Sequence, residues 1–352
     1  MAIVEEKRSL EKLLGVFQLK KEFFMQSERD PRQDQTASRL PLRERIGLSI
    51  VAADAGEAIN KIVEAERAGL HQVWLSQGGS GGSDNLTVVA LAAARTTQIG
   101  LGTAIVPTYP RHPLVMAQQA LAIHDIAPGR LRLGIGPSHR PIMEGIYGLP
   151  QTTPLAHLRE YMAVLRGILY EGKIDHHGTF FNITATSRTA QIPLLVSTLG
   201  PKAFRLAGEI SDGALSWVCP VPYLLKTALP ALQAGAEAEQ RPAPPLVAHI
   251  LVALSTDEAD VQAQARQFLS RYSKMPFYAH MFEGAGLPVT SDGEGLDELA
   301  KALVISGDEA TLRERLISLL ANGLDELMIH PIPHAHEAQA RERLLQVLAS
   351  IK

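Results

Sequence analysis

The chain has 352 residues and a mass of 38.1 kDa, enough at roughly 150 residues per domain for two ordinary domains or one large α/β barrel, and enough to build a core without disulfides or structural metals. Its single cysteine, Cys219, excludes an intrachain disulfide and fits a reducing compartment, so a cytoplasmic location is expected. Lys and Arg number 34 against 37 Asp and Glu, which gives no global attraction for nucleic acid, and no stretch approaches the ~18 apolar residues of a membrane span.

Residues 1–43 differ from the rest. Leu10, Leu13, Leu14, Phe17 and Phe24 lie near helical spacing, so one stripe of a helix would be apolar. Acids balance the bases there, unlike a transit peptide, and no apolar run resembles a signal peptide. The segment fits a helix docked on its own barrel or on a second subunit, a membrane-surface or partner-docking arm, or a misassigned start with Met25 as the first residue. Residues 28–42 read as a polar linker. The expected organisation is an N-terminal helical extension and linker over 1–43, then one folded unit over 44–352.

From residue 44 strands and helices alternate. Short apolar strands are predicted at 44–52, 72–77, 99–106 and 130–136, separated by helices from Asp54 to Gly69, Asn85 to Thr97 and Pro113 to Ile126. Pro113 sits where a first-turn proline belongs. A helix over 158–172 and a hairpin over 176–183 follow. Four more strands are predicted at 193–199, 213–218, 246–254 and 325–332, and a helix over 337–351 closes the chain. Eight apolar strands with interleaved helices predict parallel strands closed into a (β/α)8 barrel, with a doubly wound open sheet as the alternative. The long gaps at 139–192 and 256–323 follow the fourth and seventh strands. In a barrel both would lie on the catalytic rim as lids or pocket walls.

Functional residues of a barrel gather at the C-terminal ends of its strands. The second strand ends in Ser76 and Gln77 before a glycine cluster at 78–82 that lacks the Lys-Ser/Thr of a phosphate loop. The third ends in TAIVPTYPRHP (103–113), a rigid connector or a shaped pocket wall. The fourth ends in GIGPSHRP (134–141). Its Gly134 and Gly136 do not make a dinucleotide fingerprint, because His139 stands where the third glycine belongs. Glycines there allow close backbone approach to a ligand, and His139 can donate or accept a proton near neutral pH. After the fifth strand, Gly200 and Pro201 open a helix whose free N–H groups suit an anion, and Lys202 in its first turn would be relieved by a bound phosphate. No metal site is expected: His334 and His336 are two apart, and His176 and His177 adjacent. Cys219 has no evident base and reads as a buried thiol.

The stretch IGLGTAIVPTYPRHPLVMAQQALAIHDIAPGRLRLGIGPSHRP (99–141), with EGIYGL and HLREYMAVLRGIL after it, resembles the bacterial luciferase-like superfamily, most closely its coenzyme F420-dependent oxidoreductases. GPKAFRLAGEISDGALSW (200–217) is a second hallmark, and the resemblance runs from about Arg45 to His330. It implies a TIM (β/α)8 barrel with the cofactor ring over the C-terminal strand ends and a non-prolyl cis peptide at Ala104–Ile105. It also implies a phosphate-binding turn made by Ser197, Thr198, Leu199, Gly200 and Pro201, with Lys202 beside it. Ser76, Thr103, Gly136, Ser138 and Trp217 are further cofactor-contact candidates. The catalytic acid after the fourth strand, a glutamate in the sugar-phosphate dehydrogenase branch, matches His139 here. Trp74, Gln77, Tyr109, Arg140 and Phe282 are candidate substrate-pocket walls. The implied activity is hydride transfer between the deazaflavin and a small organic substrate bearing a C=C, C=N or carbonyl/alcohol group, with His139 supplying or removing the proton. Two alternatives accompany it: an FMN-dependent monooxygenase served by a separate flavin reductase, and a non-catalytic flavin-binding barrel subunit. A homodimer is expected, with neither nucleic acid nor a membrane span involved.

Overall fold

Apolar residues alternating with glycine and polar residues build the strands. The computed structural model describes residues 40–76, 82–332 and 337–352. Its strands are β1 (Ile46–Ile50), β2 (Gln72–Leu75), β3 (Gly100–Thr103), β4 (Val106–Pro107), β5 (Leu131–Gly136), β6 (Lys173–His177), β7 (Asn182–Thr186), β8 (Leu194–Thr198), β9 (Gly213–Ser216), β10 (Leu246–Ala253), β11 (Val304–Ser306) and β12 (Glu326–Pro331). β1, β2, β3, β5, β8 and β9 pair in that order, all parallel. β9 pairs with β10, β10 with β12 and β12 with β1, so eight parallel strands close on themselves. Closure leaves no free edge in the ring and decides for the barrel over the open sheet. β4 continues β3 along β5, and β11 takes the far end of the β10 edge that β9 leaves free. β6 and β7 form the predicted hairpin outside the barrel.

Helices begin where side chains satisfy their first N–H groups. Asp54 accepts from Glu57 N and Asp84 from Thr87 N, each at 2.9 Å, opening Ala55–Arg67 and Asn85–Arg95. The second of these stops at Arg95, short of the expected Thr97. The Glu66 carboxylate takes the N–H groups of Thr97, Gln98 and Ile99 at 2.7–3.0 Å and draws the chain into β3. Pro113–Ile126 starts at its proline, as predicted. The helix expected over 158–172 starts earlier, at Pro154, and widens into a π-helical turn over Gly167–Glu171 before Gly172 ends it in the left-handed region. The third predicted strand is two short ones, β3 and β4, with a cis peptide at Ala104–Ile105 between them. Most of the N-terminal segment predicted as helical lies outside the described residues.

Inside the barrel, inward side chains alternate with outward ones that pack under the helices. At the N-terminal end, Arg132 binds Glu326 through two hydrogen bonds of 2.5 and 3.0 Å and Gln72 Oε1 through a third of 2.9 Å. Above them Trp74, Leu195, Leu215, Val247 and Met328 fill an apolar layer. Trp74 fits because two strands carry glycine beside it: a Cβ at Gly102 would lie 2.2 Å from its ring, and one at Gly47 2.6 Å from its Nε1. The Arg132 guanidinium sits 5.0 Å from the Trp74 ring centroid, so the polar floor and the apolar layer are coupled. Glu326→Ala would leave Arg132 facing that floor without its carboxylate. The variant is expected to lose about 3 kcal/mol in urea unfolding, and Arg132→Met/Glu326→Leu to recover most of it; a single variant as stable as the parent would show that the pair contributes nothing.

Candidate active site

The next inward layer, at the C-terminal strand ends, is polar and aromatic. It holds Ser49 on β1, Gly136 on β5, Ser197 on β8, Trp217 after β9, His249 on β10 and His330 on β12. Trp217 stacks on His249 with centroids 3.8 Å apart, and His249 lies 4.9 Å from His330. His330 Nδ1 and the Ser49 hydroxyl are 3.0 Å apart. Val218 has φ 54°, a left-handed turn that aims its N–H at His249 Nδ1. Burial keeps both imidazoles neutral, pushing His330 down to about 4 and His249 well below its ordinary value, with Arg271 adding to each.

The insertion after β10 covers this layer. Its helices Glu258–Ser273 and Pro276–Gly284 contribute Phe268, Arg271, Tyr272 and Tyr278. Trp217 Nε1 donates to the Tyr272 hydroxyl at 2.7 Å, and Phe268 meets His330 at 5.3 Å. Arg271 lies over both Phe268 and Tyr272. Tyr278 continues from Tyr272 (4.9 Å) to the ring of His139 (5.5 Å), so a run of rings joins the fourth-strand loop to Trp217.

His139 stands at the start of the short helix Arg140–Gly145, in a loop bent at Ser138 (φ 59°) and held by a 2.6 Å bond from Gln151 Nε2 to Pro137 O. Its ring is half-buried, and that burial lowers its pKa. Beside it, Gly136 of β5 is buried against Ser197: a Cβ there would lie 2.0 Å from Ser197 Oγ. Ile105, after the cis peptide, is half-buried, 3.5 Å from the same Cβ position. Gly200 opens the helix Pro201–Ile210 without a side-chain cap, leaving first-turn N–H groups free of one. That helix is seated by two glycines: a Cβ at Gly208 would meet Leu232 O at 2.0 Å, and one at Gly235 would meet Arg205 O at 1.9 Å.

Other predicted site residues lie elsewhere. Trp74, expected in the pocket wall, has no exposed surface and fills the barrel's apolar layer. Phe282 is equally buried, on the core side of its helix. Tyr109 stacks on His157 at 4.1 Å and donates to Thr152 O, bracing the loop after β4 against the helix that starts at Pro154. Arg140 is exposed and paired with Glu144 at 2.8 Å. The Thr103 hydroxyl is spent on Gly134, donating to its O at 2.7 Å and accepting its N–H at 2.9 Å, and Thr198 donates to Leu215 O at 3.1 Å. Both threonines are therefore framework rather than free donors. Ser76, Ser197 and Leu199 are half-buried and Lys202 is exposed. Gln77, Gly78, Gly79, Gly81, His334 and His336 lie outside the described residues. Cys219 is buried, with its thiol pushed up to about 12. Among the described residues no group of three His, Cys, Asp or Glu could hold a metal ion, and no helix is long and apolar enough to cross a membrane.

The profile of a family described as luciferase-like monooxygenase matches residues 23–326. The chain belongs to the bacterial luciferase-like family. Its members are oxidoreductases, and this chain is one. A luciferase-like relative from Kineococcus radiotolerans, named F420-dependent glucose-6-phosphate dehydrogenase, is 28% identical over 276 residues, covering 72% of this chain and 80% of its own length. A putative coenzyme F420-dependent oxidoreductase from Mycobacterium tuberculosis is 30% identical over 44% of this chain and 49% of its own. Among solved structures, an F420-dependent secondary alcohol dehydrogenase superposes with a TM-score of 0.73 at 16% identity, over 88% of this chain and 98% of its own. An EDTA monooxygenase from Chelativorans gives 0.72 at 16%, over 88% and 93%. At such identities both likenesses speak for the fold of the luciferase-like barrel. Sequence reasoning missed Ser49, His249, His330 and the rings of 268–278. The signal was present in the strands: His249 follows Val247, and His330 follows Met328, at the period of the inward face.

Proposed function

We propose that this chain is a coenzyme F420-dependent oxidoreductase that moves hydride between the deazaflavin and a small substrate bearing a C=C, C=N or carbonyl/alcohol group. The observation that carries this is the layer at the C-terminal strand ends, where half-buried Ile105, Ser197 and Trp217 lie with the helix Pro201–Ile210, whose first turn has no side-chain cap. Apolar side chains beside an uncapped helix N-terminus suit a planar ring that carries a phosphate. The names of the Kineococcus and Mycobacterium relatives, both of which include F420, support the choice of coenzyme.

The described residues fit such a group. Ile105 and Trp217 would bound the ring, Ser76, Ser138 and Ser197 offer half-buried hydroxyls, and the first turn of Pro201–Ile210 beside Lys202 suits a phosphate. The chemistry a bound deazaflavin supplies is two-electron hydride transfer. His139 holds or accepts the proton at the substrate, as a neutral imidazole in the resting site. Phe268, Tyr272 and Tyr278 exclude water over the mouth. The same proposal has the barrel of 44–352 acting as a cytoplasmic homodimer, with exposed Leu91 and Val115 on neighbouring helices as apolar surface for the second copy.

Calorimetric titration of the purified protein with oxidised F420 and, separately, FMN tests this. F420 is expected to bind at least about tenfold more tightly, a gap of about 1.4 kcal/mol. Preference for FMN would overturn the coenzyme assignment in favour of an oxygen-consuming luciferase-like monooxygenase.

A further inference from the structure

The hydrogen bonds of the mouth leave one buried donor over. His249 is 2% exposed on an inward position of β10. Its backbone N–H goes to Ser216 Oγ at 3.2 Å, and its ring Nδ1 accepts the Val218 N–H at 3.3 Å. A ring nitrogen that accepts a backbone N–H carries no proton of its own. Burial keeps the ring neutral, so its one proton is on Nε2. Nε2 is buried and has no hydrogen-bond partner among the described residues. Unpaired buried donors are rare because leaving one costs its full desolvation. On an inward-facing ring Nε2 is on the edge away from the strand, toward the barrel axis.

The surroundings define what it would bind. Trp217 stacks at 3.8 Å, His330 lies at 4.9 Å, and Phe268 and Tyr272 close over them. The Arg271 guanidinium lies over Phe268 and Tyr272 and helps keep both imidazoles neutral. Such a site suits an acceptor oxygen held in an aromatic frame.

We propose that His249 Nε2–H is the donor to the carbonyl oxygen of a largely apolar substrate: a ketone, aldehyde or enone. The bond draws electron density toward the oxygen and leaves the carbonyl carbon more open to hydride. His249 keeps its proton throughout, and no covalent bond changes at its ring. The oxidoreductase proposal supplies the reason for a carbonyl substrate; the donor itself rests on the His249 geometry. A site built to pair a donor rejects analogues that lack the acceptor.

Nitrogen-15 NMR of the full chain labelled at histidine tests both parts. His249 is assigned by its absence from His249→Phe, and it is expected as the Nε2–H tautomer. Cyclohexanone and acetophenone are then added, with methylcyclohexane and ethylbenzene as carbonyl-free counterparts, each with and without oxidised F420. The ketones should shift the Nε2–H signal and the hydrocarbons should not. Ketone affinity should fall about tenfold in His249→Phe, the worth of a buried hydrogen bond, with partial recovery in His249→Gln. Thermal melts establish that both variants fold, and the wild-type shifts decide the matter if they do not. An Nδ1–H tautomer, equal responses to ketone and hydrocarbon, or a shift caused by F420 and by no ketone would each overturn the proposal. Weak F420 binding with an intact ketone response would instead count against the coenzyme assignment alone.

Discussion

His139→Phe is expected to lower turnover by about 10²–10⁴-fold, the usual contribution of a positioned acid or base, with little change in the affinity for F420. The phenyl ring preserves the packing against Tyr278, whose centroid lies 5.5 Å from the imidazole, and removes only the titrating nitrogens. The sign of the pH dependence follows from the lowered pKa of His139. In the direction that needs a base, the neutral ring is the active form. Activity should rise with pH through a value below 6.5 and then stay level. In the direction that needs an acid, the imidazolium is the active form, and activity should fall as pH rises through that same value. Steady-state rates in both directions across pH 4.5–8 (roughly two units either side of an unperturbed imidazole) check this. A phenylalanine variant that turns over normally would transfer the proton role to another group in the mouth, with His330 and its Ser49 partner to test next.

The barrel was legible because its physics is periodic. Apolar strands at near-regular spacing, separated by capped helices, leave little choice once there are eight, and Asp54, Asp84 and Pro113 mark helix starts by chemistry that needs no tertiary context. The helix end at Arg95 was not legible, because it depends on Glu66, some thirty positions earlier, reaching the amides of 97–99. The site divides in the same way. Residues at strand ends, such as His139 and Ser197, follow from topology. Trp74 was misplaced because its inward position alone does not say at which height in the barrel it lies; Gly47 and Gly102, which vacate room for it, are informative only once strand register is known. The rings of Phe268, Tyr272 and Tyr278 come from an insertion whose path over the mouth has no local signature. Thr103 looked like a free hydroxyl at a strand end, and only the pairing of β3 with β5 shows it bound to Gly134.

Gly134→Ala and Gly136→Ala, two residues apart on one strand, should fail in different ways. A Cβ at 134 would lie 2.0 Å from the backbone O of Thr103 and 2.4 Å from Leu215 Cδ1. The carbonyl cannot rotate away. β3 would have to part from β5 where Thr103 and Gly134 exchange bonds of 2.7 and 2.9 Å. Overpacking of about 1–3 kcal/mol and two buried hydrogen bonds of about 1 kcal/mol each put the expected loss near 3–5 kcal/mol. Against a total stability of about 5–15 kcal/mol, that should move the urea midpoint far and cut the yield of folded protein. At 136 the colliding atom is Ser197 Oγ, also at 2.0 Å, but a serine hydroxyl can change rotamer. Gly136→Ala should therefore cost no more than about 1 kcal/mol in the same urea experiment, and instead weaken F420 by about tenfold or more (1.4 kcal/mol), because the serine hydroxyl it displaces is one proposed to meet the coenzyme. Gly136→Ala/Ser197→Ala separates the two effects: removing the hydroxyl relieves the clash and restores stability, while the hydroxyl contact stays lost and affinity stays low. Recovery of both in the double variant would mean that the coenzyme does not need the Ser197 hydroxyl. Normal F420 affinity in Gly136→Ala itself would remove the coenzyme from the Ser197 hydroxyl.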